Sequence, residues 1–395
     1  MARVSISAAA LFALFLVAVG PAAAQLASQG HDPLAGSQVF GAKGCTKCHA
    51  VNGVGGKVGP DLARIARPRS FYDLATAMWN HLPRMTERMR QLGIARPSLT
   101  TIEAGDLVAF LYTLNYFDPP GNRDAGRRLF SEKRCIVCHQ INGTGGVVGP
   151  NLDVVGRAGP IAVTAAMWNH GPSMIATMRA KGVERPTFTG AELRDLLAYL
   201  MPASASPSAG PVYALRGRIE PGRSLFIEKR CIECHSVGGQ GGRVGPDLVQ
   251  RGVHRSLIEF AAAMWNKAPK MLAAMQPLGI VVPQLAPDEM ADIIAYLYSV
   301  RYFAGGGTVS RGWSVATDKG CLRCHGVSGE RGKSASDLTQ AKGLYSPPAV
   351  LAALWNHAVV TATMPSGDKA PWPELRAEEM ADLVTLLGSL GRRRP

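Results

Sequence analysis

The feature that most constrains this chain is a Cys-x-x-Cys-His motif that occurs four times. The copies are Cys45/Cys48/His49, Cys135/Cys138/His139, Cys231/Cys234/His235 and Cys321/Cys324/His325. They use all eight cysteines of the 395 residues, so none is left for a disulfide or a free thiol. On a helical turn, residues i, i+3 and i+4 share one face, so two thiols and one imidazole point the same way. This spacing indicates covalent attachment of c-type haem.

A Cys-x-x-Cys pair alone also fits a zinc ribbon or a thioredoxin-like redox site. The histidine that follows all four pairs favours haem over both alternatives. We therefore expect four covalently attached haem c groups, with the eight cysteines forming thioethers. The proximal iron ligands would be His49, His139, His235 and His325.

The spacing of the motifs predicts four similar domains. The first cysteines lie 90, 96 and 90 residues apart, which is the size of a small domain. No run of alternating apolar and polar residues predicts a strand, so the expected fold class is all-α. Stretches rich in Pro and Gly place the domains at 30–118, 121–203, 217–303 and 308–391. The linker at 204–216 is the expected hinge, which would split the chain into two pairs of domains.

Other features recur at fixed distances from the motif. Each repeat opens with a glycine and, four residues later, Phe40, Phe130, Phe226 or Ala316. A Val-Gly-Pro-x-Leu segment follows the motif in the first three repeats, and a Trp-Asn pair follows in all four: Trp79-Asn80, Trp168-Asn169, Trp265-Asn266 and Trp355-Asn356. Each repeat ends in an amphipathic pattern that predicts a closing helix: Glu103–Leu114, Glu192–Leu200, Glu289–Tyr298 and Glu379–Leu387. We expect each tryptophan to pack in the core, with its N–H bonded to haem or backbone.

The N-terminus is typical of a secretory signal peptide. Arg3 is followed by 13 mostly apolar residues from Ala8 to Gly20, and small residues then surround Ala24. A membrane span needs about 18 or more apolar residues, so we favour cleavage after Ala24 over a retained anchor. The expected product, lacking residues 1–24, is periplasmic and has no membrane span.

The formal charge of +14 does not indicate nucleic-acid binding. Removal of the signal peptide and the propionates of four haems would lower it, and no nucleic-acid-binding motif is present. The basic residues would at most steer an acidic redox partner.

This layout resembles the class I cytochrome c family over nearly all of the mature chain. The resemblance rests on the Cys-x-x-Cys-His motifs, the Gly-Pro-x-Leu segments, and an opening helix that faces an aromatic of the closing helix (Phe110, Tyr199 and Tyr296). It implies that Pro60, Pro150 and Pro246 hold the proximal histidines through their carbonyl groups. Repeat four has Ser336 in place of the proline and lacks both aromatics of the crossing, at Ala316 and Leu386. We therefore expect a looser haem pocket in that domain.

The sixth iron ligand would be a methionine. Met89, Met178, Met275 and Met364 lie 40, 39, 40 and 39 residues after the proximal histidine, as is usual in the family. A second set, Met85, Met174 and Met271, is better explained as filling of the haem wall. A third set comprises His81, His170 and His357 but has Lys267 in repeat three, which disfavours uniform His/His ligation; we place these histidines beside a propionate or on the surface.

These features favour an electron carrier over an enzyme. The first hypothesis is a periplasmic tetrahaem cytochrome that passes electrons between protein redox partners. The second is a cytochrome subunit of a periplasmic dehydrogenase or membrane respiratory complex. A third, peroxidase-like catalysis at the fourth haem, is disfavoured because Met364 is available as a ligand and no distal His/Arg pair is recognisable.

Overall fold

The computed structural model describes residues 31–64, 70–114, 118, 120–155, 159–201, 217–249, 256–302, 306–327, 335, 337–341, 343–362 and 372–392. Within these ranges the protein is mostly helical and contains four tandem copies of one small domain, which confirms the predicted fold class. The expected signal peptide, the 204–216 linker and Met364 lie outside the described residues. None of the described helices has the length and apolar character needed to cross a membrane.

Each domain begins with an opening helix that crosses its closing helix closely. The opening helices are Pro33–Ala42, Arg123–Glu132, Ile219–Glu228 and Val309–Asp318, and the closing helices are Thr101–Thr113, Gly190–Leu200, Pro287–Ser299 and Ala377–Arg392. A Cβ atom on Gly36 would lie 1.9 Å from the carbonyl oxygen of Asp106, so the first crossing requires glycine. Gly126 and Gly222 meet their closing helices at the same distance. The recurring opening glycine is therefore a packing requirement.

The crossing is filled by a pair of rings in the first three domains. The ring centroids of Phe40 and Phe110 are 5.6 Å apart, and the equivalent pairs in domains 2 and 3 are 5.7 Å apart. In domain 4, Ala316 and Leu386 are completely buried, and Trp313 of the opening helix packs against the same core. The fourth crossing is thus filled by other side chains, and the looser haem pocket expected in this domain stays a prediction.

A lysine two residues before the first cysteine ties the two ends of every domain together. These residues are Lys43, Lys133, Lys229 and Lys319. Lys43 lies 2.8 Å from the carboxylate of Glu103 and donates to the carbonyl of Ser98, and the other three make the equivalent pair of contacts. We call this contact the lysine strap. It fixes the end of the opening helix, and hence the haem motif, against the start of the closing helix.

A long helix between the motif and the closing helix carries the Trp-Asn pair. The four long helices are Phe71–Gln91, Gly159–Ala180, Leu257–Met275 and Pro347–Ala362. In domains 1 to 3 a hairpin of two two-residue strands follows the haem motif, and a four-residue helix, Leu152–Val155, occurs in domain 2. The antiparallel pairs are Ala50–Val51 with Val54–Gly55, Gln140–Ile141 with Thr144–Gly145, and Ser236–Val237 with Gln240–Gly241. These hairpins are too short to change the fold class.

The domains pair across the middle of the chain. One buried core contains Phe71 and Leu82 of domain 1 together with Val350 and Met380 of domain 4. Two further cores combine side chains of domains 2 and 3. The pairs are therefore 1·4 and 2·3, which differs from the expected division of the chain into two halves at the linker. Each half of the sequence supplies one member of each pair.

Candidate functional site

The Cys-x-x-Cys segments have one backbone conformation in all four domains. Two residues after each opening helix, one residue lies in the left-handed region, and a 3-10 turn that begins at the first cysteine follows it: Cys45–Lys47, Cys135–Val137, Cys231–Glu233 and Cys321–Arg323. The left-handed residue is a glycine in domains 1 and 4 (Gly44 and Gly320) and an arginine in domains 2 and 3 (Arg134 and Arg230). Non-glycine residues in this region cost about 1–2 kcal/mol. The surrounding fold therefore enforces the turn that places both thiols and the histidine on one side.

The cysteines of these turns are half-buried, and no disulfide joins any of them. They are Cys45, Cys48, Cys135, Cys138, Cys231, Cys234, Cys321 and Cys324. Only reaction with haem would convert them to thioethers.

The second cysteine of the motif closes the turn, as Cys138 and Cys234 show in domains 2 and 3. Their amides donate to the carbonyl of the first cysteine of the motif at 3.1 and 3.3 Å. Their own carbonyls accept from the amides of Gly149 and Gly245, both at 2.7 Å. The second thiol is thereby fixed next to the segment that faces the proximal histidine. A thioether at Cys138 and at Cys234, as at the other six cysteines, stays a prediction.

The proximal histidines are oriented by backbone carbonyls in the first three domains. Nδ1 of His49 lies 3.1 Å from the oxygen of Pro60, and the equivalent distances for His139–Pro150 and His235–Pro246 are both 3.0 Å. A carbonyl only accepts, so Nδ1 carries the proton and donates, which leaves Nε2 free to bind a metal.

The glycine before each of these prolines fits the histidine ring. A Cβ atom on Gly59, Gly149 or Gly245 would lie only 2.4–2.5 Å from the ring carbon Cε1. In domain 4 the equivalent residue is Ala335, whose amide bonds the Cys324 carbonyl as the glycine amides do in the other domains. Since Ala335 has the Cβ atom that would collide, the His325 ring and this segment have a different relative position from those in domains 1 to 3. The equivalent of the proline, Ser336, lies outside the described residues.

A deep cleft adjoins the haem motif of domain 1. Its volume, including the part open to solvent, is about 870 Å³, and its lining includes Cys45, Cys48 and His49 together with Met85 and Met89. The cleft walls are mainly apolar, with two thiols and one free imidazole nitrogen on the same side. These residues fit a flat, covalently attached haem.

The described residues do not assemble a protein-only metal site. Burial raises the pKa of Cys135 and of Cys231 to about 11. Structural zinc sites use four His, Cys, Asp or Glu ligands. Among the described residues, no three such side chains come together as a metal site. The arrangement favours thioether formation over zinc binding.

The distal candidates lie on the long helices. Met85 and Met89 both line the cleft of domain 1. Met174 and Met178 pack half-buried against the core of domain 2, and Met271 and Met275 do so in domain 3. The choice of Met89, Met178, Met275 and Met364 over the other set stays a prediction.

The third set of candidates, the histidines after Trp-Asn, does not behave uniformly. His81 lines the cleft of domain 1, and the ring of His357 lies 5.6 Å from that of His325. Burial, together with the nearby proximal histidine, lowers the pKa of both His81 and His357. His170 is exposed. Two of these histidines therefore face the haem side, and only His170 lies on the surface.

The Trp-Asn pairs bind the partner domain, a role that the sequence interpretation missed. Trp79 donates from Nε1 to the carbonyl of Pro373 at 2.7 Å, and the amide of Asn80 both donates to and accepts from the backbone of Leu375. Trp355 and Asn356 make the same three bonds to Pro97 and Leu99 in the opposite direction. We call this reciprocal set of bonds the clasp.

An equivalent clasp joins domains 2 and 3. Trp168 and Asn169 bond the backbone of Pro283 and Leu285, while Trp265 and Asn266 bond that of Pro186 and Phe188. The expected backbone partner of the tryptophan N–H is present, but it belongs to another domain. A Pro-x-Leu or Pro-x-Phe segment before each closing helix was the available sequence signal, because it recurs as regularly as Trp-Asn.

The clasp also brings one domain to the site of another. Trp355 of domain 4 lines the cleft of domain 1, beside Pro97, whose carbonyl accepts its N–H. The wall of the first site is therefore completed by a residue 310 positions from Cys45 in the sequence. This side chain limits the access of water to the cleft.

Comparison with known proteins agrees with this geometry. The family model described as Cytochrome c matches residues 34–115, 124–204, 219–301 and 309–391. A stretch of 86 residues is 29% identical to the cytochrome c oxidase subunit 2 of Alkalihalophilus pseudofirmus, covering 20% of this chain and 25% of that protein. The match thus spans only about a quarter of that relative. No solved structure matches the chain.

Proposed function

Because the chain belongs to the cytochrome c family and repeats its domain four times, we propose that it is an exported tetrahaem electron carrier with His/Met-ligated haems. The observation that supports this most directly is the recurrence, in each domain, of two cysteines and a histidine on one turn. Haem supplies the one-electron chemistry when bound. The residues of the protein determine how the haem is attached and oriented and what surrounds it.

Each group around the site has a separate role in this proposal. The cysteine pair holds the haem by thioethers, so that it is retained in both oxidation states. The carbonyls of Pro60, Pro150 and Pro246 accept from Nδ1–H and increase the donor strength of Nε2 toward iron. Methionine at the sixth position raises the potential relative to a second histidine. The apolar walls, including Trp355 in the first site, exclude water and raise the reduction potential of the haem further.

The partners would be redox proteins in the periplasm. The signal-like N-terminus and the requirement for haem attachment outside the cytoplasm support this location. A moderately basic surface favours acidic docking sites at low ionic strength. The proposed role is transfer without turnover of a substrate.

A second candidate is a cytochrome subunit of a respiratory complex. The similarity of one stretch to a cytochrome c oxidase subunit favours it. Both roles use the same four sites, but a subunit also needs a fixed docking face. Mild cross-linking in the native host followed by purification separates the two, because a subunit copurifies with its complex in fixed proportion.

Haem content and potentiometry test the main proposal. The mature protein should carry four covalent haems by intact mass and titrate in four one-electron steps. Cys231→Ala should weaken or remove one attachment and leave three. Fewer than four haems after expression in a competent host would contradict the proposal, as would peroxide turnover by the intact protein at the rate of a haem peroxidase.

A further inference from the structure

The two domain pairs meet at a junction between domains 1 and 3. The rings of Tyr112 and Tyr298, at the ends of the two closing helices, are 4.6 Å apart, and the hydroxyl of Tyr298 donates to the carbonyl of Tyr112 at 2.9 Å. Tyr302 lies 5.0 Å from Tyr112 and 5.6 Å from Phe71. All except Tyr298 are buried. The junction is a continuous aromatic contact from one domain to the other.

The junction is reciprocal. The segment after the closing helix of domain 3 receives a hydrogen bond at the Tyr302 carbonyl from the Phe71 amide, at the start of the long helix of domain 1. The segment after the closing helix of domain 1 contributes Asp118, which accepts from Ser256 and from the amide of Ile258 at the start of the long helix of domain 3. Two hydrogen-bonded contacts in opposite directions make a specific interface between these domains.

The sequence of the repeats matches this choice of partners. Tyr112 and Tyr298 occupy the same repeat position, two residues after the crossing aromatic. Domain 2 has Met201 there and domain 4 has Gly388. Only the domains that meet at the junction therefore supply the tyrosine.

The interdomain hydrogen bonds and ring contacts thus join domain 4 to 1, 1 to 3, and 3 to 2. We propose that electrons pass between the haems in this spatial order, 4–1–3–2, and that domains 4 and 2 are the end points that exchange electrons with partners. The inference rests on the proposed electron-carrier function. Electron tunnelling slows exponentially with distance, so domains that share a clasp or a packed aromatic junction exchange electrons faster than domains connected only by the chain.

With haem bound in each domain, a transfer would move one electron from a ferrous iron to the ferric iron of the neighbouring domain. No proton or further reactant is needed. Trp355 lies against the first site while its own helix carries His357 beside His325, so one helix of domain 4 touches both sites of the 4·1 pair. In the middle step the aromatic contact of Tyr112 with Tyr298 fills the space between domains 1 and 3.

The spatial order is tested first by cutting the chain. A protease recognition sequence replacing residues 204–216 allows the full-length holoprotein to be cleaved between domains 2 and 3. Both pairs cross the cut, so the halves should co-elute in gel filtration with all four haems. A matched variant with Asn80, Asn169, Asn266 and Asn356 changed to Ala should release them at lower denaturant. Separation of the unmodified halves on cleavage would overturn the order.

Redox coupling tests whether electrons follow the contacts. Removing the fourth haem with Cys321→Ser and Cys324→Ser should shift the potential of the haem in domain 1. It should leave the haem in domain 3, its neighbour in the sequence, unchanged. Hydrogen exchange of residues 97–99 must show that Trp355 still binds domain 1 in this variant, because loss of that side chain alone would open the first site. If domain 4 has unfolded, the cleavage experiment decides instead. A shift confined to domain 3 would overturn the inference, whereas a failure of the intact protein to give four one-electron steps would instead refute the proposed function.

Discussion

The two domain pairs share one clasp but differ in the residue that precedes its proline. In pair 2·3, Arg185 stacks 4.4 Å from the ring of Trp265 and donates to its carbonyl, whereas the equivalent Val282 has no side-chain donor for Trp168. In pair 1·4 the residue before each clasp proline donates a hydrogen bond to the partner domain. Arg96 donates to the carbonyl of Trp355, and Trp372 donates to the carbonyl of Trp79. Trp372 also stacks 4.3 Å from Trp79.

The irregular fourth domain is therefore not weakly held at the clasp. It lacks the crossing aromatics and the Gly-Pro segment, yet in its pair both residues that precede a clasp proline donate to the partner domain, whereas only one does so in the regular pair. Its sequence differs from the other repeats in the segment that faces the proximal histidine, and it has Trp372 before the clasp proline. Specialisation of the site and reinforcement of the interface therefore occur in the same pair.

The largest expected effect comes from removing a clasp tryptophan. Truncation of a buried tryptophan costs about 3–5 kcal/mol. We expect Trp79→Ala to cost more than Trp168→Ala by about 0.5–1.5 kcal/mol, because only Trp79 stacks on a second tryptophan. Hydrogen exchange measures this through peptides of the partner domain, 372–376 for Trp79→Ala and 282–286 for Trp168→Ala.

The phenylalanine variants are the matched controls. Trp79→Phe and Trp168→Phe keep most of the buried ring and lose the N–H bond, so each should give a smaller increase in exchange. Equal protection loss in the two alanine variants would show that Trp372 does not strengthen pair 1·4.

A change in ligation is expected next, in the regular pair. Met178→Ala should remove one of four Met-to-iron charge-transfer bands from the ferric spectrum, whereas Met174→Ala, one helical turn earlier, should leave all four. Both methionines are half-buried on the same long helix, so packing losses are similar in the two variants. Loss of the band in Met174→Ala instead would move the distal ligands by one turn in every domain.

A smaller effect is expected at the fourth site. Ala335 carries a Cβ atom where the glycine of the other domains leaves room for the proximal ring, so His325 should be held less firmly. If any reduced haem binds carbon monoxide, we expect it to be this one, and Ala335→Gly should lower the bound fraction. Truncation of domain 4 is a poor test, because Trp355 lines the cleft of domain 1 and its removal would open that site. Carbon monoxide binding unchanged in Ala335→Gly would place the labile haem elsewhere.

The haem motifs, the helix crossings and the fold class could be predicted because their residues are close in the sequence or recur with one period. The partners of the clasp could not be predicted from that period. Asn80 is 295 residues from Leu375, and Asn169 is 116 residues from Leu285, yet the four copies of each element are nearly interchangeable. The repeated sequence therefore predicts that each Trp-Asn pair binds a segment before a closing helix, but it does not predict which domain supplies that segment. The residues that differ between the repeats indicate which domains are partners. Tyr112 and Tyr298 occur only in domains 1 and 3, which meet at the junction, and Trp372 occurs only in domain 4, which binds Trp79.

The lysine strap should give the smallest effect and should not distinguish the pairs. The hydrogen bond from Lys43 lowers the pKa of Glu103, and that from Lys229 lowers the pKa of Glu289. Both contacts are partly exposed, so Lys43→Met and Lys229→Met should each cost at most about 1 kcal/mol. A carboxyl with a lowered folded pKa stabilises the protein above its unfolded value of ~4.3, and this contribution is lost as the pH falls through the folded value. The deficit of each variant should therefore be present at neutral pH and disappear in acid, as measured by hydrogen exchange at the start of the closing helix. A deficit that differs between the two variants, or that persists in acid, would mean that the strap acts through packing that differs between the pairs.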